Sequence, residues 1–131
     1  MAAGSITPTM NIRVGTGVQE DDLSLILVTW PNLNSTNSQG TAVMLPQHSD
    51  RTVQFLGTFN GCTAVLEGSN DGTNYKTLTD AAGSAISTTA SSLKQVTEAP
   101  LYVRPNVNTN AGVATDMACV MLLRRNGRLT R

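Results

Sequence analysis

The feature that most constrains this chain is Ser69-Asn70-Asp71-Gly72 set between two β-prone runs, Cys62 to Leu66 and Tyr75 to Leu78. Asp-Gly in that setting is one of the strongest local hairpin signals. Glycine accepts the positive φ of a tight turn, and Asn and Asp side chains bond the turn backbone. A lone hairpin is marginal in water, so flanking segments must supply further strands. The region from Val53 to Val107 is organised around this turn.

The flanks read accordingly. Arg51 to Gly57 alternates, with Val53 and Phe55 on one face and Thr52, Gln54 and Leu56 on the other. Beyond Asn60-Gly61, Cys62, Ala64 and Leu66 oppose Thr63, Val65 and Glu67. In Asp116 to Arg124, Met117, Cys119, Met121 and Leu123 oppose Ala118, Val120 and Leu122. Leu23 to Trp30 is predicted as a strand with apolar groups on both faces, ended by Pro31. Thr41 to Leu45 and Leu93 to Thr97 are shorter candidates, and Ala81 to Ser92 is a weak strand or a loop. Leu101 to Pro105 reads as an edge strand or a strand end, because Pro105 cannot donate to a ladder. About seven to nine short strands with Gly/Asn/Asp/Ser turns, and no helical period, predict an all-β fold. The expected form is an antiparallel β-sandwich or jelly roll with extended termini.

At 131 residues the chain is read as one domain, 1–131. Residues 1–10 form an extended N-terminal arm in which Thr7-Pro8-Thr9 blocks regular pairing, and 126–131 form a basic C-terminal tail. Charged residues are only 14% and the net charge is zero, which tolerates association and points to neither nucleic acid nor membrane. No apolar run approaches a membrane span, and Met1 to Met10 has neither the basic region nor the apolar core of a signal peptide. Without a secretion signal, the sequon Asn34-Ser35-Thr36 is discounted. Cys62 and Cys119 both fall in predicted strands, where a disulfide is possible in principle and two buried thiols are the expectation.

Reactive constellations are missing from the pattern. His48, the single histidine, lies in Gln47-His48-Ser49-Asp50, where adjacency denies the three side chains a triad geometry, and it reads as a surface turn. Paired carboxylates are confined to Glu20-Asp21-Asp22, and Asn70 to Asn74 lacks the recurring acids of a calcium loop. No metal, no cofactor and no catalytic residue is expected. Trp30, Tyr75 and Tyr102 could stack on sugars, although filling the core is the simpler role. Arg124, Arg125, Arg128 and Arg131 form a basic tail suited to an acidic neighbour, and are too few for strong nucleic-acid binding.

Gly57 to Gly72, Tyr75 to Asp80, Glu98 to Pro105 and the closing Leu122-Leu123-Arg124-Arg125 carry a resemblance. This pattern, about half of the chain, resembles bacteriophage capsid decoration (cement) proteins with a β-sandwich or jelly-roll core. Tyr75 stands where Trp would be expected, a mild departure. The resemblance implies a non-enzymatic virion protein on the outer capsid surface. It would bind the major capsid protein, bridge its neighbouring copies and form a homodimer or homotrimer. The expected contacts are the arm (Ile6, Pro8, Met10), the polar loop Asn32 to Gly40 (Asn34, Asn37) and the arginine tail. Alternatives are a carbohydrate-binding host-adhesion module and a tail or neck component of the virion.

Overall fold

A computed structural model describes residues 5–11, 25–34, 37–108 and 116–125, and these residues contain strands and no helix. The strands are β1 (Ser5–Ile6), β2 (Thr9–Asn11), β3 (Leu25–Leu33), β4 (Gln39–Gly40), β5 (Val43–Met44) and β6 (Asp50–Thr58). They continue with β7 (Thr63–Ser69), β8 (Lys76–Thr77), β9 (Ser87–Thr88), β10 (Ser92–Val96), β11 (Tyr102–Asn108) and β12 (Asp116–Arg124). A five-stranded sheet has the order β10-β6-β12-β3-β2. A seven-stranded sheet has the order β1-β4-β11-β7-β8, with β5 on β11 and β9 on β7. All pairings are antiparallel except β1 with β4. The expected all-β sandwich is therefore present.

Period-two alternation places the core between the sheets. β12 buries Met117, Cys119, Met121 and Leu123 and leaves Ala118, Val120 and Leu122 half-buried on the outside. β6 does the same with Val53 and Phe55, as its pattern requires. The opposite layer contributes Ala64, Leu66, Val103 and Val107. Trp30 is wholly buried, and its indole N–H donates to the Thr41 carbonyl at 2.8 Å, so its polar edge is satisfied inside the core. Cys62 and Cys119 are buried free thiols, and burial pushes the Cys119 thiol well above its ordinary pKa.

The Asp-Gly hairpin forms, with a longer loop than a two-residue turn: β7 pairs β8 through Glu67–Thr77 and Gly68–Lys76. Asn60-Gly61 is the tighter turn. Both residues have positive φ, 49° and 83°, and the Cys62 N–H donates to the Phe59 carbonyl at 2.9 Å. It carries the chain from β6 in one sheet to β7 in the other, so it joins the layers and does not form a hairpin.

Two prolines depart from expectation. β3 runs through Pro31 to Leu33. Leu33 pairs with Met117 and Trp30 with Cys119, so Pro31 and Asn32 together oppose Ala118 in a β-bulge, with Asn32 at φ 58°. A bulge tolerates both the missing N–H and the left-handed residue. Pro105 lies within β11, a central strand, not at an edge. On its β4/β5 side the neighbouring strand is interrupted between Gly40 and Val43, which accommodates the missing donor. Gly40 packs against the Pro105 ring and Trp30, and a Cβ there would lie 2.6 Å from both.

The arm is also built differently from expectation. β1 pairs with β4 in the seven-stranded sheet and β2 with β3 in the five-stranded sheet, so the segment crosses between layers at Pro8. Thr7 and Pro8 are unpaired, as expected, whereas Thr9 pairs with Thr29, and Pro8 occupies the crossover, where no donor is needed. On the other flank, Asp80 bridges Val96 and the Thr97 N–H donates to the Thr79 carbonyl, tying β10 to the opposite layer's loop.

Candidate functional site

Strand register fixes where the expected contact residues lie. Leu33, at the start of the Asn34–Asn37 turn, pairs with Met117 at one end of β12, while Arg124 lies at the other end beside Leu25. Seven residues of strand separate these ends by about 24 Å. Among the described residues, the Asn34 and Asn37 side of the polar loop and the Arg124–Arg125 pair are therefore at opposite ends of β12. Asn34 and Asn37 organise their own turn. The Asn34 N–H donates to the Asn37 carbonyl at 3.0 Å, and the Asn37 N–H donates to Asn34 Oδ1 at 2.8 Å. Arg124 and Arg125 are exposed, and Arg124 approaches Asp50 at 3.6 Å. Both partners of that pair are open to solvent, so it contributes little to stability. Pro8 and Met10 belong to the crossover segment, with Met10 about half exposed. The Ile6 side chain, Arg128, Arg131 and Glu20-Asp21-Asp22 lie outside the described residues.

The outer face of the seven-stranded sheet carries a polar network that sequence reading missed. Arg104 on β11 donates through Nε to Glu67 Oε1 on β7 at 2.9 Å, and its guanidinium lies 3.6 Å over the Tyr75 ring. Asn106 donates to the other Glu67 oxygen at 3.3 Å, and the Gln39 amide oxygen, oriented toward Arg104, accepts from both Nη atoms at 3.1 and 3.2 Å. These residues come together because β4, β11 and β7 are neighbours, and only the pairing reveals it. Arg104 is thus committed to partners within the sheet.

The hairpin loop is held by one carboxylate. Asp71 Oδ1 accepts from the Thr73 and Asn74 N–H groups, each at 2.8 Å, and from the Ser69 hydroxyl, while Oδ2 accepts from the Asn74 amide. These bonds, led by the Asn74 backbone N–H, hold the Asp71 carboxyl well below the usual carboxylate range. Asp71 is a loop organiser, with its oxygens spent on the loop itself. Among the described residues no cluster of His, Cys, Asp and Glu has the makings of a metal site. Beside this loop an open groove of about 410 Å³ runs past Asn70, Asn74, Lys76, Glu98 and Pro100.

His48 departs from expectation: its turn closes through the His48 N–H to the Leu45 carbonyl, yet its side chain is buried. The cause is Arg51, also buried, whose guanidinium donates to the His48 carbonyl at 2.7 Å, the Leu45 carbonyl at 2.9 Å and the Pro100 carbonyl at 3.4 Å. The loop is drawn inward around that cation, and burial pushes the Arg51 pKa down from its ordinary value. Asp50 turns toward Arg124, so His48, Ser49 and Asp50 share no site. The aromatic residues divide as well: Trp30 is in the core, while Tyr75 and Tyr102 are half-buried.

No protein-family model matches the chain, and no curated protein matches it. Among solved structures it is similar to Peruvianin-I, a cysteine peptidase from Thevetia peruviana latex, at 13% identity and a TM-score of 0.38. That likeness covers 91% of this chain and 63% of the peptidase chain, so the chain spans less than two thirds of that protein's length. It is also similar to the K1 cleaved adhesin domain of Lys-gingipain from Porphyromonas gingivalis W83, at 11% identity and a TM-score of 0.38, covering 93% of this chain and 85% of the domain. No helix among the described residues is long and apolar enough to cross a membrane.

Proposed function

We propose that this chain is a structural virion protein that binds the outside of a phage capsid and cements neighbouring copies of the major capsid protein. The observation that carries the reading is the polar separation of the two sets of contact residues. The Asn34–Asn37 turn and the Arg124–Arg125 end lie about 24 Å apart along β12, at opposite ends of one sheet. A body with contacts at both poles reaches two neighbours, and each weak contact gains from the other through effective concentration. The low charge and zero net charge suit repeated placement on a crowded surface. In the same reading, the alternation of the chain between the sheets, from β3 to β4 and β5, to β6, to β7, β8 and β9, to β10, to β11 and to β12, supports a jelly-roll winding.

The arm takes a smaller part in this mechanism than its sequence suggests, because Ser5–Ile6 and Thr9–Asn11 pair within their own chain. Of the three aromatic side chains a sugar platform would use, Trp30 is buried and Tyr75 lies under Arg104, which favours cementing over host adhesion.

The test is addition of the purified chain to capsids that lack it, with occupancy read by imaging and head stability by heat-induced genome release. Saturable binding to the shell with raised heat resistance is expected. Weaker occupancy is expected for Asn37→Lys and for Arg124→Glu/Arg125→Glu, each of which alters one pole. Absence of shell binding by the folded chain would overturn the proposal.

A further inference from the structure

The outer face of the five-stranded sheet has a pattern that complements its own reverse. β12 is its central strand and pairs with β6 without interruption from Asp116 to Arg124. Alternation therefore puts Asp116, Ala118, Val120, Leu122 and Arg124 on one outward row. The row is acidic at one end, apolar in the middle and basic at the other. Around it the face is uncharged among the described residues apart from Asp50 beside Arg124. Leu27 and Thr52 flank Leu122, Thr29 and Gln54 flank Val120, and Leu56 flanks Ala118. Leu93, two-thirds exposed, extends this surface from β10 next to Gln54.

We propose that a second copy of this chain docks on this face, with its β12 antiparallel to the first, around a twofold axis passing at Val120. In that arrangement Asp116 of each copy meets Arg124 of the other, Ala118 lies over Leu122, and Val120 faces Val120. A twofold interface requires such self-complementarity, residue i on j and j on i. The parallel arrangement would set Arg124 against Arg124 and Asp116 against Asp116. Aligned sheet packing keeps strand directions within about 30°, an offset that a long arginine side chain spans. The Arg124–Asp50 approach within one copy does not compete strongly, because both groups are exposed and an exposed pair is weak.

The area sets the strength. Three nine-residue strands cover about 14 Å by about 30 Å, and with the short edge strands each copy offers roughly 500 Å². Two copies bury about 1,000 Å², the lower bound for a specific pair. The dimer is therefore weak and concentration-dependent. The inference does not rest on the cementing reading, since it concerns the free chain in solution.

Sedimentation of the full-length chain over a range of concentrations tests it. The native chain should pass from monomer to dimer, and Val120→Asp, which puts two carboxylates on the axis, should weaken self-association at least tenfold with an unchanged circular dichroism spectrum. Asp116→Arg and Arg124→Asp should each weaken it about tenfold, and an equimolar mixture of these two variants should recover dimers of one copy of each. A native chain that stays monomeric throughout, or a Val120→Asp chain that dimerises as before, would overturn the proposal. Failure of the mixture to recover would overturn the antiparallel register. Shell binding is read separately on Asn37→Lys, which lies off this face, so the two proposals can fail independently.

Discussion

The two sheets reach similar width by different means. The five-stranded sheet is built on three nine-residue strands, β3, β6 and β12, which pair along most of their lengths. The seven-stranded sheet has only two strands of comparable regularity, β7 and β11, and is completed by two-residue pieces. The first is held by its ladder and leaves an outer face almost free of charge. In the second, side chains substitute for missing ladder: Arg104 ties Glu67 and Gln39 across three strands, Asp71 fastens the hairpin loop, and Gly40 lets Pro105 and Trp30 close over an interruption. A sheet stapled by side chains depends on individual residues, whereas a sheet held by backbone pairing tolerates substitution on its outer face.

Substitutions can break this contrast. The largest effect is expected for Trp30→Ala, which opens a cavity between the layers and strands the Thr41 carbonyl, at a cost of about 3–5 kcal/mol in chemical denaturation. Arg51→Ala leaves three carbonyls without their shared donor, and about 3 kcal/mol should be lost, with the Leu45–His48 loop becoming open to protease. Gly40→Val forces atoms against Pro105 and Trp30 and should cost about 2 kcal/mol, felt as faster amide exchange in β11 than in β12. Arg104→Ala should cost about 1 kcal/mol, because its ion pair with Glu67 is partly shielded and its stacking on Tyr75 is lost as well.

Acid gives the mildest and most selective probe. Asp71 is held low chiefly by the Asn74 N–H, and Asp80 chiefly by the Ser84 N–H. Glu98 is raised by burial, but the bonds from Thr79 outweigh this and leave it lowered. Depressed carboxyls give stability that is complete above their unfolded values and is lost as pH falls through the folded ones. The melting temperature should therefore hold from pH 8 to about 5 as far as these groups are concerned and decline below about 4. Asp71→Asn should lower it near neutral pH and flatten the acid decline. An equal response of β12 and β8 amides to acid would contradict the contrast between the sheets.

Strand alternation was readable wherever a segment carries its own period. β6, β7 and β12 lie where Val53/Phe55, Ala64/Leu66 and Met117 to Leu123 place them. Features that depend on a partner strand were not readable. Pro31 and Pro105 obey the local rule against proline in a ladder, yet one falls at a bulge and the other beside a broken strand, and neither neighbour is visible from the proline itself. His48 looks like a polar turn residue until Arg51 is known to point inward. Of the proposed contacts, the separation of Asn37 from Arg124 follows only from register, and Glu67 meets Arg104 across a gap in sequence that no local pattern bridges.

The place of β12 has a consequence for how the molecule comes to be. Residues 116–124 sit between β3 and β6, which have no ladder with each other and whose sequences are synthesised well before it. Until that segment arrives, both long strands have an open side, and the growing chain cannot finish the layer piece by piece. Topologies dominated by such distant pairings assemble slowly, on the scale of milliseconds to seconds. On the ribosome, this protein waits for its centre.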